Sequence, residues 1–361
     1  MKKYVCITLA ALTLLLCSCQ AGAFRTFDEP GYIPTHMTAL YPEDPENGSV
    51  AVLLRRYDES SSSVAVAPST GAEMTKIYDL TAGTLTYELT AGDGIIAFFE
   101  LTTYSDGSVN YALKVLDTEK ENELHIPYKK TVSEDDEMQT RFIVIYGRCV
   151  YYLTKSNLLG RCRVMRYSVD EKELEEYLSF DFTENELTGG SSCTCISEKD
   201  GYLTCACADG NRMILRTYDL RTDGLICEKE LPYSAAIVYM ADRDGQNDVY
   251  AVYYMSAQND ERVGVLKDGK LKDVLTLDGD SYLNREEVRI YGGRLYFEVQ
   301  NTEKENPYDQ FRGMICGADD GYVKEYNGCI KLYKQDDEIY SLCFDKSGDC
   351  GIMRLYKADE R

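Results

Sequence analysis

The sequence predicts an all-β chain, a seven-bladed β-propeller of four-stranded antiparallel blades closed by an N-terminal strand. Three observations predict it. A turn of Gly, Asp or Asn leads into a short apolar run seven times, and from Val50 to Ile339 the runs are spaced 45, 55, 52, 47, 46 and 44 residues apart. Each interval carries turn signals for about four short strands, the content of one propeller blade. Helical periodicity is nearly absent, and the best helical window, Glu171 to Leu178, is short.

Taken in order, the turns and runs are Asn47-Gly48 with Val50-Ala51-Val52-Leu53, Asp93-Gly94 with Ile95-Ile96-Ala97-Phe98, and Gly147-Arg148 with Val150-Tyr151-Tyr152-Leu153. Asp200-Gly201 follows with Tyr202-Leu203-Thr204-Cys205, then Asp244-Gly245 upstream of Val249-Tyr250-Ala251-Val252, Gly292-Gly293 with Leu295-Tyr296-Phe297, and Asp336-Asp337 with Ile339-Tyr340-Ser341-Leu342. A polar turn such as Ser105-Asp106-Gly107 then opens a second strand, a third closes the unit, and a further strand such as Arg141 to Ile145 precedes the next turn. The last unit ends at Arg361 after its third strand. Phe24-Arg25-Thr26-Phe27 alternates like a strand and is expected to supply the fourth, removing a sheet edge that would invite aggregation. Two β-sandwiches are the alternative architecture, and eight or six blades the alternative counts.

The N-terminus reads as an address. Lys2 and Lys3 precede an apolar run from Val5 to Leu16 that falls short of the roughly 20 residues a spanning helix needs. Leu16-Cys17-Ser18-Cys19 follows. A leucine three places before a cysteine, with a small residue just before it, resembles the lipobox of bacterial lipoproteins. That resemblance implies cleavage before Cys19, a diacylglycerol on its thiol, and a protein held at the extracytoplasmic face of the cell membrane. Residues 1–18 are then the signal peptide, 19–23 a lipidated tether and 24–361 the propeller. Each buried CH₂ of an acyl chain contributes about 0.8 kcal/mol, so several chains on one residue anchor firmly.

Over nearly all of the mature chain the repeat resembles bacterial propellers of the TolB-like and quinoprotein-like kind. The resemblance is architectural. The chain has no Trp, so the tryptophan-docking, WD40 and sialidase signatures are missing and the activities of those families do not carry over.

Composition excludes some classes. A hydrophobic content of 44% supports a sizeable core. The formal charge is −22, and without Lys2 and Lys3 the chain keeps 37 basic against 61 acidic residues, or −24. Nucleic-acid binding needs basic surface to displace counterions and is excluded. Charge-driven docking on anionic lipid is disfavoured for the same reason, which leaves the lipid anchor as the membrane contact.

Cysteine is frequent. Cys193-Thr194-Cys195 and Cys205-Ala206-Cys207 flank the turn at Asp200, so a regular hairpin would set Cys195 against Cys205 and Cys193 against Cys207, with all four on one face. Cys343 and Cys350 flank Lys346-Ser347, and Cys149 and Cys162 flank a turn near Lys155-Ser156. Three readings stand: disulfides, as an oxidising compartment favours; reduced, buried thiols packing as small hydrophobes; or a zinc or iron–sulfur site, against which the single residue between paired cysteines counts.

The sharpest motif is Asp242-Arg243-Asp244-Gly245-Gln246-Asn247-Asp248. It is similar to the calcium loop of integrin-type propellers, which implies a Ca ion on Asp242, Asp244 and Asp248, although Met240 stands where that family has its first ligand. An ordinary Asp-Gly turn is the competing reading. Tyr104, Asp106, Tyr308 and Asp309 sit in turns expected at one mouth of the ring and are candidate binding residues. His36 and His125 stand near no evident nucleophile, and no phosphate-binding glycine loop is present. The reading reached is a lipid-anchored binding or interaction scaffold whose partner is a protein, peptide or glycan of the envelope. The alternative is an envelope hydrolase with acidic residues in the central pocket, so enzymatic activity stays open.

Overall fold

The computed structural model describes residues 23–25, 32–40, 49–56, 61–68, 74–81, 84–132, 138–156, 161–181, 193–209, 212–231, 237–244, 247–255, 260–291, 293–301, 303–335, 338–344 and 352–357. These residues form 28 strands and, apart from a 3₁₀ turn at Thr118–Lys120, one short helix, α1 (Pro307–Gln310). The strands assemble into seven four-stranded antiparallel sheets. In chain order, sheet I is β2 (Tyr32–Ala39), β3 (Ser49–Arg56), β4 (Ser62–Pro68) and β5 (Thr75–Asp79), and sheet II is β6 (Thr84–Gly92), β7 (Ile95–Thr103), β8 (Val109–Asp117) and β9 (Glu123–Val132). Sheet III is β10 (Met138–Tyr146), β11 (Cys149–Ser156), β12 (Arg161–Ser168) and β13 (Glu173–Asp181), and sheet IV is β14 (Cys193–Lys199), β15 (Tyr202–Asp209), β16 (Arg212–Asp219) and β17 (Gly224–Leu231). Sheet V is β18 (Ile237–Asp244), β19 (Asn247–Met255), β20 (Glu261–Lys267) and β21 (Lys270–Thr276), and sheet VI is β22 (Ser281–Tyr291), β23 (Arg294–Asn301), β24 (Phe311–Gly317) and β25 (Val323–Asn327). Sheet VII takes β26 (Cys329–Gln335), β27 (Glu338–Phe344) and β28 (Ile352–Lys357) from the C-terminus and β1 (Ala23–Arg25) from the N-terminus. There Ala23 pairs with Arg354, Phe24 with Met353 and Arg25 with Ile352.

Three of the turns read from the sequence lie wholly among the described residues and make the first hairpins of sheets II, III and IV. Asp93 and Gly94 have φ of 49° and 72°, Gly147 and Arg148 57° and 60°, Asp200 and Gly201 52° and 80°. Two successive left-handed residues are the type I′ geometry, whose twist matches the strands it joins and which Gly and Asp tolerate best.

The second strand of each hairpin is buried on both faces, which is why it reads as a continuous apolar run rather than an alternating one. Adjacent residues serve different interfaces. Phe98 packs between sheets I and II, and Phe99 between II and III. Six hydrophobic clusters of the described residues fill the gaps between consecutive sheets, I/II through VI/VII. At about 1.5–3 kcal/mol per large apolar side chain, these interfaces hold the molecule. The architecture is a β-propeller, with first strands β2, β6, β10, β14 and β18 each meeting the next sheet, β23 and β24 meeting β26, and β26 meeting β2.

Every first strand carries a register shift against its second strand, at Pro34/His36, Tyr87/Thr90, Arg141/Ile143, Cys193/Cys195, Met240/Asp242, Leu283/Val288 and Cys329/Lys331. Glu88 and Phe142, inside two of these bulges, have φ of 60° and 56°. A bulge adds local twist and bends the strand, here the innermost strand of each sheet.

Candidate functional site

Hairpin connectivity assigns each turn to one of two ends. The first-to-second and third-to-fourth turns of every sheet share one end. The second-to-third turns and the connections between sheets share the other. Tyr104 and Asp106 (in the β7–β8 turn) and Tyr308 and Asp309 (on α1 between β23 and β24) therefore lie at the same end.

The first pair belongs to sheet II and the second to sheet VI. Tyr104 is 48% exposed. Asp106 is exposed, accepts hydrogen bonds from Ser108 N at 3.0 Å and Ser108 Oγ at 2.7 Å, and is held below the ordinary carboxylate value by them. Asp309 is exposed. Tyr308 turns inward: a Cβ built on Gly328 would lie 2.7 Å from its Cδ2, so the ring rests on the backbone that starts sheet VII. Asn306 Oδ1 accepts from Tyr308 N at 2.9 Å and fixes the short helix.

The calcium motif is a hairpin. Asp242 and Asp244 lie on β18 and Asp248 on β19, with Asp244 paired to Asn247 and Arg243 to Asp248. Their side chains are outside the described residues. Among the described residues no group of three His, Cys, Asp or Glu side chains is placed to hold a metal ion.

The cysteine hairpin departs from the regular register. The two-residue Asp200-Gly201 turn sets Cys195 against Ala206 and Ile196 against Cys205, and the bulge that inserts Thr194 then brings Cys193 opposite Cys207. Cys193, Cys205 and Cys207 pack between sheets III and IV, while Cys195 packs between IV and V, so the four do not share a face. Cys343 faces Cys329 and Arg354. Cys350 lies outside the described residues, as do Cys19 and the signal segment. Cys149 faces Ser168 and Cys162 faces Lys155, so these two are not opposed. None of the ten described cysteines is joined to another in this structure.

Sequence reasoning missed the buried charges. Asp117, with no exposed surface, is 2.6 Å from Arg148 Nη2; Arg148 also reaches Glu119 and Asp170 at 3.0 Å. Burial pushes the Asp117 carboxyl up, but the Arg148 hydrogen bond and charge outweigh it and hold the group below its ordinary value. Glu100 behaves alike: burial raises it, and Lys114 at 3.1 Å with Thr81 outweighs burial and lowers it. Glu298, 1% exposed, accepts from Arg289 Nη2 and from Leu332 N, both at 2.5 Å, and Arg289 also donates to Leu332 O. His125 Nδ1 lies 2.6 Å from Tyr167 Oη, with Glu123 3.6 Å from its other nitrogen. The one signal that could have found these contacts is Arg148 itself, a cation in a turn where the neighbouring blades carry Asp-Gly.

Each buried carboxylate therefore has its own cation at its own sheet interface: II with I for Glu100, II with III for Asp117, VI with VII for Glu298. Glu100 and Asp117 stay ionised at neutral pH, the wrong state for a general acid. Among the described residues no two of them converge on a common point.

No protein-family model and no curated protein sequence matches the chain. Solved structures do. A prolyl endopeptidase structure, from work on inter-domain dynamics in catalysis and specificity, matches at TM-score 0.53 and 13% identity, over 90% of this chain and 50% of that one. This chain thus spans half the length of that relative. Hydrazine synthase of Kuenenia stuttgartiensis matches at TM-score 0.51 and 11% identity, over 92% of this chain and 97% of that one. The β-propeller domain of the Trilobed protease from Pyrococcus furiosus aligns at TM-score 0.40 and 11% identity, over 73% and 90%. At such identities the likeness is one of fold.

Proposed function

We propose that this protein is a lipid-anchored, extracytoplasmic β-propeller of seven blades in one closed ring, acting as a binding scaffold. Its ligand is a protein, peptide or glycan of the envelope, taken at the end of the ring turned away from the membrane. The observation that carries this reading is the pairing of β1 with β28. As the fourth strand of sheet VII, β1 starts at the end that holds the first-to-second turns, and Cys19 precedes Ala23 by four residues. An acyl group on Cys19 would hold that end against the bilayer. The opposite end, with the exposed Tyr104 and Asp106 and the long connections between sheets, would face outward. Among the described residues no helix is long and apolar enough to cross a membrane. Local neutralisation of every buried carboxylate among the described residues favours binding over acid–base catalysis.

Two measurements test this. Metabolic labelling with a clickable fatty acid should mark the wild type and not Cys19→Ala. A photo-crosslinking amino acid at position 104 should capture an envelope component that the same group at position 124, exposed on the first turn of β9 at the near end, does not. Absence of label on the wild type overturns the anchor. Identical adducts from both positions overturn the assigned polarity.

A further inference from the structure

The ten described cysteines are not scattered evenly through the sheets. Cys193 faces Cys207 between β14 and β15, and Cys329 faces Cys343 between β26 and β27. None of the other six faces a cysteine: Cys149 is opposite Tyr146 and Ser168, Cys162 opposite Lys155 and Phe180, Cys195 opposite Ala206, Cys205 opposite Ile196 and Arg216, Cys227 opposite Thr217, and Cys316 opposite Leu295 and Val323.

The two pairs also occupy one structural position. Cys193 and Cys329 are each the residue just before the bulge of an innermost strand. Each thiol contacts the carbonyl two residues ahead, Cys193 Sγ to Cys195 O at 3.4 Å and Cys329 Sγ to Lys331 O at 3.3 Å. The corresponding pairs in the other sheets are Pro34/Leu54, Tyr87/Phe99, Arg141/Leu153, Met240/Tyr250 and Leu283/Val299. All four thiols are buried. Register partners in an antiparallel pair stand about 4.5–5.5 Å apart at Cα, inside the span a disulfide accepts, and the Cβ atoms need to close by about an ångström.

We propose that Cys193–Cys207 and Cys329–Cys343 are cross-strand disulfide sites, oxidised by exchange with a disulfide-carrying oxidoreductase or a low-molecular-weight disulfide. For each bridge two S–H bonds are lost and one S–S bond forms. The two electrons and two protons pass to the disulfide of the oxidant, which leaves as two thiols. Exchange needs a thiolate. In the finished fold the Cys205 thiol and burial push the Cys193 thiol well up against the lowering hydrogen bond from Cys207, and burial with Cys343 does the same to Cys329. The bridges therefore close while the hairpins are still open to solvent, during folding.

The full chain, denatured and reduced, is refolded in a mixture of oxidised and reduced glutathione. Remaining thiols are alkylated under denaturation, and peptides are mapped by mass spectrometry without reduction. Peptides linked through Cys193–Cys207 and Cys329–Cys343 are expected, with the other six described cysteines alkylated and a higher melting temperature than for protein refolded under reductant. The same glutathione mixture applied to folded, reduced protein should give neither link. Recovery of either pair as alkylated thiols after oxidative refolding, or a Cys193–Cys205 link in place of Cys193–Cys207, overturns the proposal. The mapping uses the wild-type chain. As a second reading, Cys207→Ala and Cys343→Ala should each remove one link and lower the melting temperature only under oxidising conditions.

Discussion

Arg148 donates from Nη2 to Asp117 Oδ2 at 2.6 Å, across the interface between sheets II and III, and Asp117 has no exposed surface. The arginine sits in the first turn of sheet III, yet its other contacts reach Glu119 on the neighbouring sheet and Asp170 on its own. Removing it leaves the buried carboxylate only Lys120, a largely exposed cation 3.5 Å away. Arg148→Ala should cost about 3 kcal/mol, the low end for breaking a buried pair, read by chemical denaturation. Replacing both partners, Asp117→Leu with Arg148→Met, should cost much less, because no charge is left uncompensated.

The same pair sets an acid limit. The folded Asp117 and Glu100 carboxyls lie below their ordinary values, so both contribute stability that is fully present above the unfolded value near pH 4 and lost as pH falls through the folded value. Denaturation midpoints should be flat from neutral pH to about 5 with respect to these groups, then decline. In Arg148→Ala the decline should be shallower, since Asp117 then gains little from ionising in the folded state.

The hydrogen bond between His125 and Tyr167 joins the outer strand of sheet II to sheet III with both side chains buried. Tyr167→Phe keeps the ring and deletes the hydroxyl, leaving Nδ1 of the histidine without that partner. A loss of about 1–3 kcal/mol is expected, with no change in spectroscopic strand content. A neutral result would mean that the histidine is satisfied elsewhere.

Gly264 stands at the shift between β20 and β21, where a Cβ would come within 2.7 Å of the Lys272 carbonyl oxygen. Backbone cannot yield as a side-chain tip can. Gly264→Ala should destabilise by roughly 1–3 kcal/mol, and amide exchange should quicken first along the β20–β21 ladder.

Glu298 ties sheet VI to sheet VII by accepting from Arg289 and from the Leu332 amide. Glu298→Gln retains one oxygen acceptor but loses the charge opposite Arg289. Faster amide exchange is expected at Leu332 and along β22, with sheets II to IV unchanged. Uniform loss of protection would show that this interface unfolds only with the whole ring.

Much of this protein was written in local sequence. Continuous apolar runs after Asp-Gly and Gly-Arg turns located the doubly buried second strands, since a strand covered on both faces has no polar face to alternate with and a left-handed two-residue turn selects those residues. Tertiary structure alone decided what faces what. Six innermost strands insert one residue and β22 inserts three; the insertion brought Cys329 into line with Cys343 on the facing strand, while the two-residue Asp200-Gly201 turn set Cys195 against Ala206 and not Cys205. The fold also paired Asp117, Glu100 and Glu298 with cations carried on other strands. Asp117 meets Arg148 only because neighbouring sheets pack, and the pairs within a sheet depend on strand register, neither of which spacing along the chain encodes.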